Sequence, residues 1–221
     1  MKNLGFILCL ILFSFKIQSQ NSAENKLGAW YMYNGSHKVS DKFAVKTMAH
    51  FRFFEIGNNL QQLIVRTGGN YQINKNLSTT LGYAFINTDG TYKENGGEIN
   101  EHRIYEDFNI VHKVSALNLA HRFRAEQRFF NANTGHFLRY QLGLSYPINN
   151  LVSTYLYNEV FFDFNGESFN QNWSGIGFKY KLSNTTKLQL GYQKITINGG
   201  GNFNRIQLGV SISTNHKKKT K

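Results

Sequence analysis

Hydrophobic and polar residues alternate one for one along most of this chain. Between 42 and 53, Phe43, Val45, Thr47, Ala49, Phe51 and Phe53 share one face, and Lys42, Lys46, His50 and Arg52 take the other. In 117–129, Leu117, Leu119, His121, Phe123, Ala125 and Phe129 oppose Asn118, Arg122, Arg124, Glu126 and Arg128. Near the C-terminus, Ile206, Leu208, Val210 and Ile212 oppose Arg205, Gln207, Gly209 and Ser211. Successive side chains of a β-strand point to opposite faces, so this period predicts strands joined as hairpins. Eleven runs qualify: 27–34, 42–54, 60–73, 77–88, 100–113, 116–130, 136–147, 151–164, 170–182, 186–197 and 203–214. No helical apolar period follows Gln20, and no linker divides the chain, which predicts one all-β domain over 20–214.

Many of these runs hold 11 to 14 residues. Strands of globular sheets are usually about 5–6 residues long, whereas tilted strands that cross a bilayer need about 9–11. Tight turns at 74–76, 114–115, 148–150 and 183–185 alternate with longer polar loops at 89–99, 131–135, 165–169 and 198–202. Aromatic residues gather near strand ends, among them Trp30, Tyr31, Tyr33, Phe129, Phe130, Phe161, Phe162 and Phe164. Rings suit the membrane interface because their bodies prefer the apolar side and their polar edges prefer water. Together these features predict an antiparallel transmembrane β-barrel of the outer-membrane type with 10–12 strands. An odd count conflicts with the even numbers usual in bacterial barrels. Either a further short strand lies in 21–27, or 27–34 is not a full wall strand. A secreted soluble barrel, with its apolar face turned inward around an apolar ligand, is the alternative.

The N-terminus reads as a signal peptide over 1–19. Lys2 precedes an apolar stretch from Leu4 to Phe15, and Ser19 is the small residue at the expected cleavage point. About 12 apolar residues are too few to cross a ~30 Å hydrocarbon core as a helix. Cys9 is the single cysteine and sits inside the apolar stretch, which excludes a disulfide framework and argues against lipidation there. Removing Lys2 and Lys16 from the 25 basic residues leaves 23 against 13 acidic ones. Four of those lysines lie in a basic tail at 215–221, which reads as a solvated end. An exported chain meets lipid headgroups rather than nucleic acid, so no nucleic-acid partner is expected.

Little in the sequence suggests catalysis. The seven histidines show no metal-ligand spacing, and no metal or cofactor is called for. A barrel enzyme acting on lipid or lipopolysaccharide would need a nucleophile and a histidine within reach. Ser115, Asn118 and His121 are the nearest candidates, but Asn118 and His121 fall on opposite faces. Gly199-Gly200-Gly201 lies between strands with no helix after it, so it reads as a flexible loop rather than a phosphate cradle.

The clearest polar feature is a charged set on the inward face: Glu101, Arg103, Asp107, Arg122, Arg124, Glu126, Arg128, Arg139 and Glu159. It fits best a ladder of pairs filling a narrow barrel; a polar pore lining or an anion-binding patch is the alternative. A two-residue turn at Val114-Ser115 would place Lys113 opposite Ala116. Asp107 would then face Arg122, Tyr105 face Arg124, Arg103 face Glu126, and Glu101 face Arg128. A three-residue turn at 148–150 would likewise set Arg139 against Glu159.

Glu101-His-Arg103, Arg122-Phe-Arg124-Ala-Glu126-Gln127-Arg128, Arg139-Tyr140, Tyr157-Asn158-Glu159-Val160-Phe161-Phe162 and Gly191-Tyr192 carry a resemblance. Over roughly 27–214 the chain resembles DUF2490, a family of Bacteroidetes-type outer-membrane β-barrel proteins of unknown function. That resemblance implies fold and location, not activity. The expectation is therefore a non-enzymatic outer-membrane barrel that maintains the envelope or passes small polar solutes. Its expected partners are outer-membrane lipid, lipopolysaccharide and, during insertion, the barrel assembly machinery.

Overall fold

The structure, a computed structural model, describes residues 26–90, 97–166 and 168–217. The expected signal peptide and most of the basic tail lie outside the described residues. Eleven strands are present among the described residues. They are β1 (Leu27–Lys38), β2 (Phe43–Glu55), β3 (Asn58–Gln72), β4 (Leu77–Asp89), β5 (Glu98–Val114) and β6 (Leu117–Phe129). The rest are β7 (Thr134–Pro147), β8 (Val152–Asp163), β9 (Phe169–Lys181), β10 (Thr186–Ile197) and β11 (Asn202–Asn215). Each pairs antiparallel with its sequence neighbour, and β1 closes the sheet onto β11.

That closing seam is parallel, running from Leu27↔Asn204 to Lys38↔Asn215. With eleven alternating strands the first and last run the same way, so only a parallel pair can close the ring. Both sequence-based answers to the odd count are thereby corrected. β1 is a full wall strand, hydrogen-bonded to β2 on one side and β11 on the other, and no twelfth strand lies between them. It runs on to Lys38 because Gly35 and Ser36, which resemble turn residues, keep pairing with Thr47 and Lys46.

The connections are less unequal than the sequence suggests. One end of the barrel carries turns at 39–42, 73–76, 115–116, 148–151 and 182–185. The other carries 56–57, 90–97, 130–133, 164–168 and 198–201. Only 90–97 is markedly long, because neighbouring strands extend into the other segments. We call the two ends the turn rim and the loop rim. At the turn rim Lys217 pairs with Asp41, and its ammonium holds that carboxylate below the usual range.

Alternation decides the faces. Phe51, Val65, Leu81, Ile104, Phe108, Phe123, Ile176, Phe178, Leu190 and Leu208 all point outward and remain exposed, which makes an apolar belt around the wall. A soluble barrel would not present such a belt to water. Inside, two small apolar clusters fill part of the lumen. One joins Met48, Ile64, Ala84 and Ile86; the other joins Trp30, Met32 and Ile195.

The sequence Leu-Gly-Tyr occurs at both 81–83 and 190–192. Their Leu and Tyr face outward, and the glycine between them faces the lumen. A Cβ at Gly82 would collide with the Tyr105 ring, and one at Gly191 with the Tyr155 hydroxyl. Each glycine thus clears space for an inward tyrosine to lie against the wall.

Two outcomes follow from the seam and the faces. Ala29→Cys and Ile206→Cys, paired across the seam, should form a disulfide in the folded barrel, read as a mobility shift on non-reducing gels. Phe123→Arg, at the middle of β6, should cost about 2–4 kcal/mol in denaturant unfolding from lipid vesicles.

Candidate functional site

β5, β6, β7 and β8 bring the whole predicted charged set to one side of the lumen. Asp107 accepts both Arg124 Nε (2.5 Å) and Nη2 (2.7 Å), a bidentate pair. Glu126, only 1% exposed, accepts from Arg128 (2.6 Å), Arg139 (2.8 Å) and Arg103 (3.1 Å). Glu159 accepts from Arg122 (2.7 Å) and Arg139 (2.8 Å), and Glu101 from Arg103 (2.5 Å). Four carboxylates and five arginines therefore form one continuous network. Charges that are out of water need this kind of multiple pairing.

The register, however, differs from the expected one. Val114 pairs with Leu117, so Ser115 and Ala116 are the turn, with Ser115 at φ 55°. Moving a two-residue turn by one position shifts every pairing by two. Asp107 therefore faces Arg124, Tyr105 faces Glu126 and Arg103 faces Arg128. Between β7 and β8 the same shift occurs: Arg139 faces Phe161, and Glu159 faces Gln141. A shift of two keeps every residue on its face, and long side chains reach diagonal neighbours about 7–8 Å away. Arg103 consequently still bonds Glu126, Arg139 still bonds Glu159, and Arg124 lies over Tyr105 at 4.7 Å. Arg122 instead leaves Asp107 to Arg124 and turns to Glu159.

The opposite side of the lumen is chemically different, and sequence reasoning missed it. Lys46, His50 and Arg52 on β2, Arg66 on β3, Lys179 on β9 and Arg205 on β11 face inward there. Among the described residues no carboxylate pairs with any of these cations. Arg52 donates Nη1 to Gln62 Oε1 (2.8 Å) and lies over the Trp30 ring at 3.7 Å. Arg66 donates to the Met48 sulfur (2.8 Å), a weak acceptor, and lies over Tyr105 at 4.9 Å. Arg205 donates to the backbone oxygens of Lys26 and Asn204. The same period-two rule that found the ladder puts these residues inward. They were passed over because a search for opposite charges on adjacent strands has nothing to find around them.

A neutral network completes the wall. Tyr157 donates to Gln193 Oε1 (2.6 Å), Tyr155 to Gln207 Oε1 (3.1 Å), and Gln189 to the Tyr155 hydroxyl (2.9 Å). The lumen is one cavity of about 1540 Å³. Its lining includes Lys75 and Asn76 at the turn rim and Thr88, Asp89 and Gly90 at the loop rim.

The enzyme candidates do not converge. Ser115 sits in the turn, Asn118 points into the lumen, and His121 points outward to the Tyr140 hydroxyl at 2.9 Å. Among the described residues no three His, Cys, Asp or Glu side chains form a metal cluster.

A closed barrel with an apolar outer belt and a charged lumen is an outer-membrane-type β-barrel. Residues 27–211 match the family described as "Protein of unknown function (DUF2490)", and the chain belongs to that family. No curated protein matches the sequence. Among solved structures, a NanC porin superposes with a TM-score of 0.54 at 12% identity, covering 84% of this chain and 98% of the porin. Looser likenesses are a KdgM porin (TM-score 0.46, 13% identity, 76% and 91% covered) and LpxR from Salmonella typhimurium (0.47, 9%, 80% and 85%).

Removing one shared carboxylate should be severe. Glu126→Gln leaves four arginines short of counter-charge and should cost about 3–5 kcal/mol. Arg122→Gln touches Glu159 alone and should cost less in the same denaturant titration.

Proposed function

We propose that this protein is a non-enzymatic outer-membrane channel that passes small anionic solutes. One observation carries the reading: a single lumen reaches residues of both rims, and the basic groups in its lining outnumber the acids. On the β5–β8 side the arginines are tied to carboxylates. On the other side Arg52, Arg66, Lys179 and Arg205 leave positive charge facing the passage. Low-dielectric walls of one sign concentrate ions of the other, so such a lumen enriches anions and repels cations. The likeness to a porin supports the architecture. The same reading has the apolar belt in the outer membrane, with lipid and lipopolysaccharide around it and the barrel assembly machinery as its insertion partner. Envelope maintenance without conduction needs no lumen that touches both rims.

The test is reconstitution in planar bilayers under a salt gradient. The expected result is discrete conductance steps with a reversal potential of the sign given by anion preference. Arg66→Glu should reduce that preference. Absence of steps, or cation preference in the unaltered protein, would overturn the channel.

A further inference from the structure

The loop half of the lumen joins two features that a simple ion passage does not need. One is an apolar wall: Trp30 and Trp173 meet edge to face at 5.3 Å, with Ile195, Ile197 and Phe203 packed against them. The other is the Arg52 guanidinium, 3.7 Å from the Trp30 ring centroid and 5.3 Å from that of Trp173. β2 and β9 are separated by three strands, so the Arg52–Trp173 contact crosses the lumen and narrows it. All of these side chains except their covered edges border the same cavity.

Three buried polar atoms here lack partners among the described residues. Gln62 takes one Arg52 nitrogen, while Arg52 Nε, Trp30 Nε1 and His50 Nδ1 have no hydrogen-bond partner among the described residues. Trp30 is 4% exposed and His50 9%, and both are neighbours of Arg52: Trp30 faces it across the β1–β2 pair, and His50 is the next inward residue on β2. An apolar plug would be more stable without an unneutralised cation at its centre. A purely ionic passage would be wetter without two indoles.

We infer that this junction is a binding site for an organic anion with an apolar body. The acid group, a carboxylate or similar oxyanion, pairs with Arg52, which presents planar donors suited to it. The hydrocarbon body lies against Trp30, Trp173 and Ile195, where its burial excludes water and strengthens the charge pair. The site names the solute class for the proposed channel and rests on the same lumen, but it does not depend on conduction.

The chain holds two tryptophans, and both are in this site, so their emission reports it directly. The experiment titrates the purified full barrel in detergent with cyclohexanecarboxylate, acetate and cyclohexylmethanol. A saturable change in emission is expected with cyclohexanecarboxylate, and a far weaker one with the other two. Arg52→Gln should weaken that binding by about tenfold or more, the loss of a charge-assisted pair. Lys194→Gln, on the outer face of β10, should leave it unchanged. Ile195→Thr keeps the charge and trims the apolar wall, so it should weaken binding even if Arg52→Gln fails to fold. Folding of each variant is checked by heat-modifiable gel mobility. An equal response to acetate, an equal response to cyclohexylmethanol, no saturation, or unchanged affinity in a folded Arg52→Gln barrel would each overturn the site. Anion-selective conductance without this titration would remove the site and leave the channel. The titration without conductance would do the reverse.

Discussion

Closure of the sheet is the constraint on which the rest depends. Inside a bilayer every backbone N–H and C=O must find a partner within the protein, so an open edge is not tolerated. Eleven alternating strands leave β1 and β11 running the same way, and the ring closes only because they accept parallel pairing along the full length of β1. Parallel pairs are slightly less stable per residue than antiparallel ones. Twelve paired positions at the seam offset that weakness. Closure also fixes an inside and an outside, and every later feature is a consequence of that division.

The division of charge follows. All four network carboxylates stand on β5, β6 and β8, and the arginines around them come from the same part of the wall. This arrangement neutralises a dense cluster locally and holds four adjacent strands in register. Among the described residues it leaves no salt-bridge partner for the cations on β2, β3, β9 and β11. Had the acids been spread evenly around the ring, the excess positive charge would be spread thinly over the whole lining. Concentrating them on one side makes half of the lining a rigid salt-bridged scaffold and the other half an electropositive surface.

How much of this was legible in the sequence depended on the range of the rule applied. Period-two alternation is local, and it placed Phe123 outward and Arg124 inward from a dozen residues alone. It was equally sound for Arg52 and Arg205. Register is set by where a turn begins, and Ser115 rather than Val114 takes the left-handed position there. That one-residue difference changed which residues stand opposite, yet it left the faces intact. Long arginine side chains then recovered several of the expected contacts along diagonals. Contacts across the lumen were beyond reach. Nothing in the spacing of residues 52 and 173 says that a guanidinium and an indole meet, because their approach depends on the curvature of the closed ring.

Aromatic rings share the lumen with the ion pairs. The salt-bridged network lies against its own wall, whereas Tyr105 and Tyr155 lie over glycines that clear room for them, and Trp173 reaches across to Arg52. Glycine and tyrosine act as a unit here: the glycine removes a Cβ from one strand so that a ring from another can lie flat. Arginines then stack on those rings, Arg66 and Arg124 on Tyr105, and Arg52 and Arg139 on Trp173. A guanidinium held this way keeps its edge available for hydrogen bonds while its face is covered. For Arg52 and Arg66, which have no salt bridge among the described residues, stacking on a ring thus immobilises positive charge in the lumen without cancelling it, which a carboxylate partner could not do.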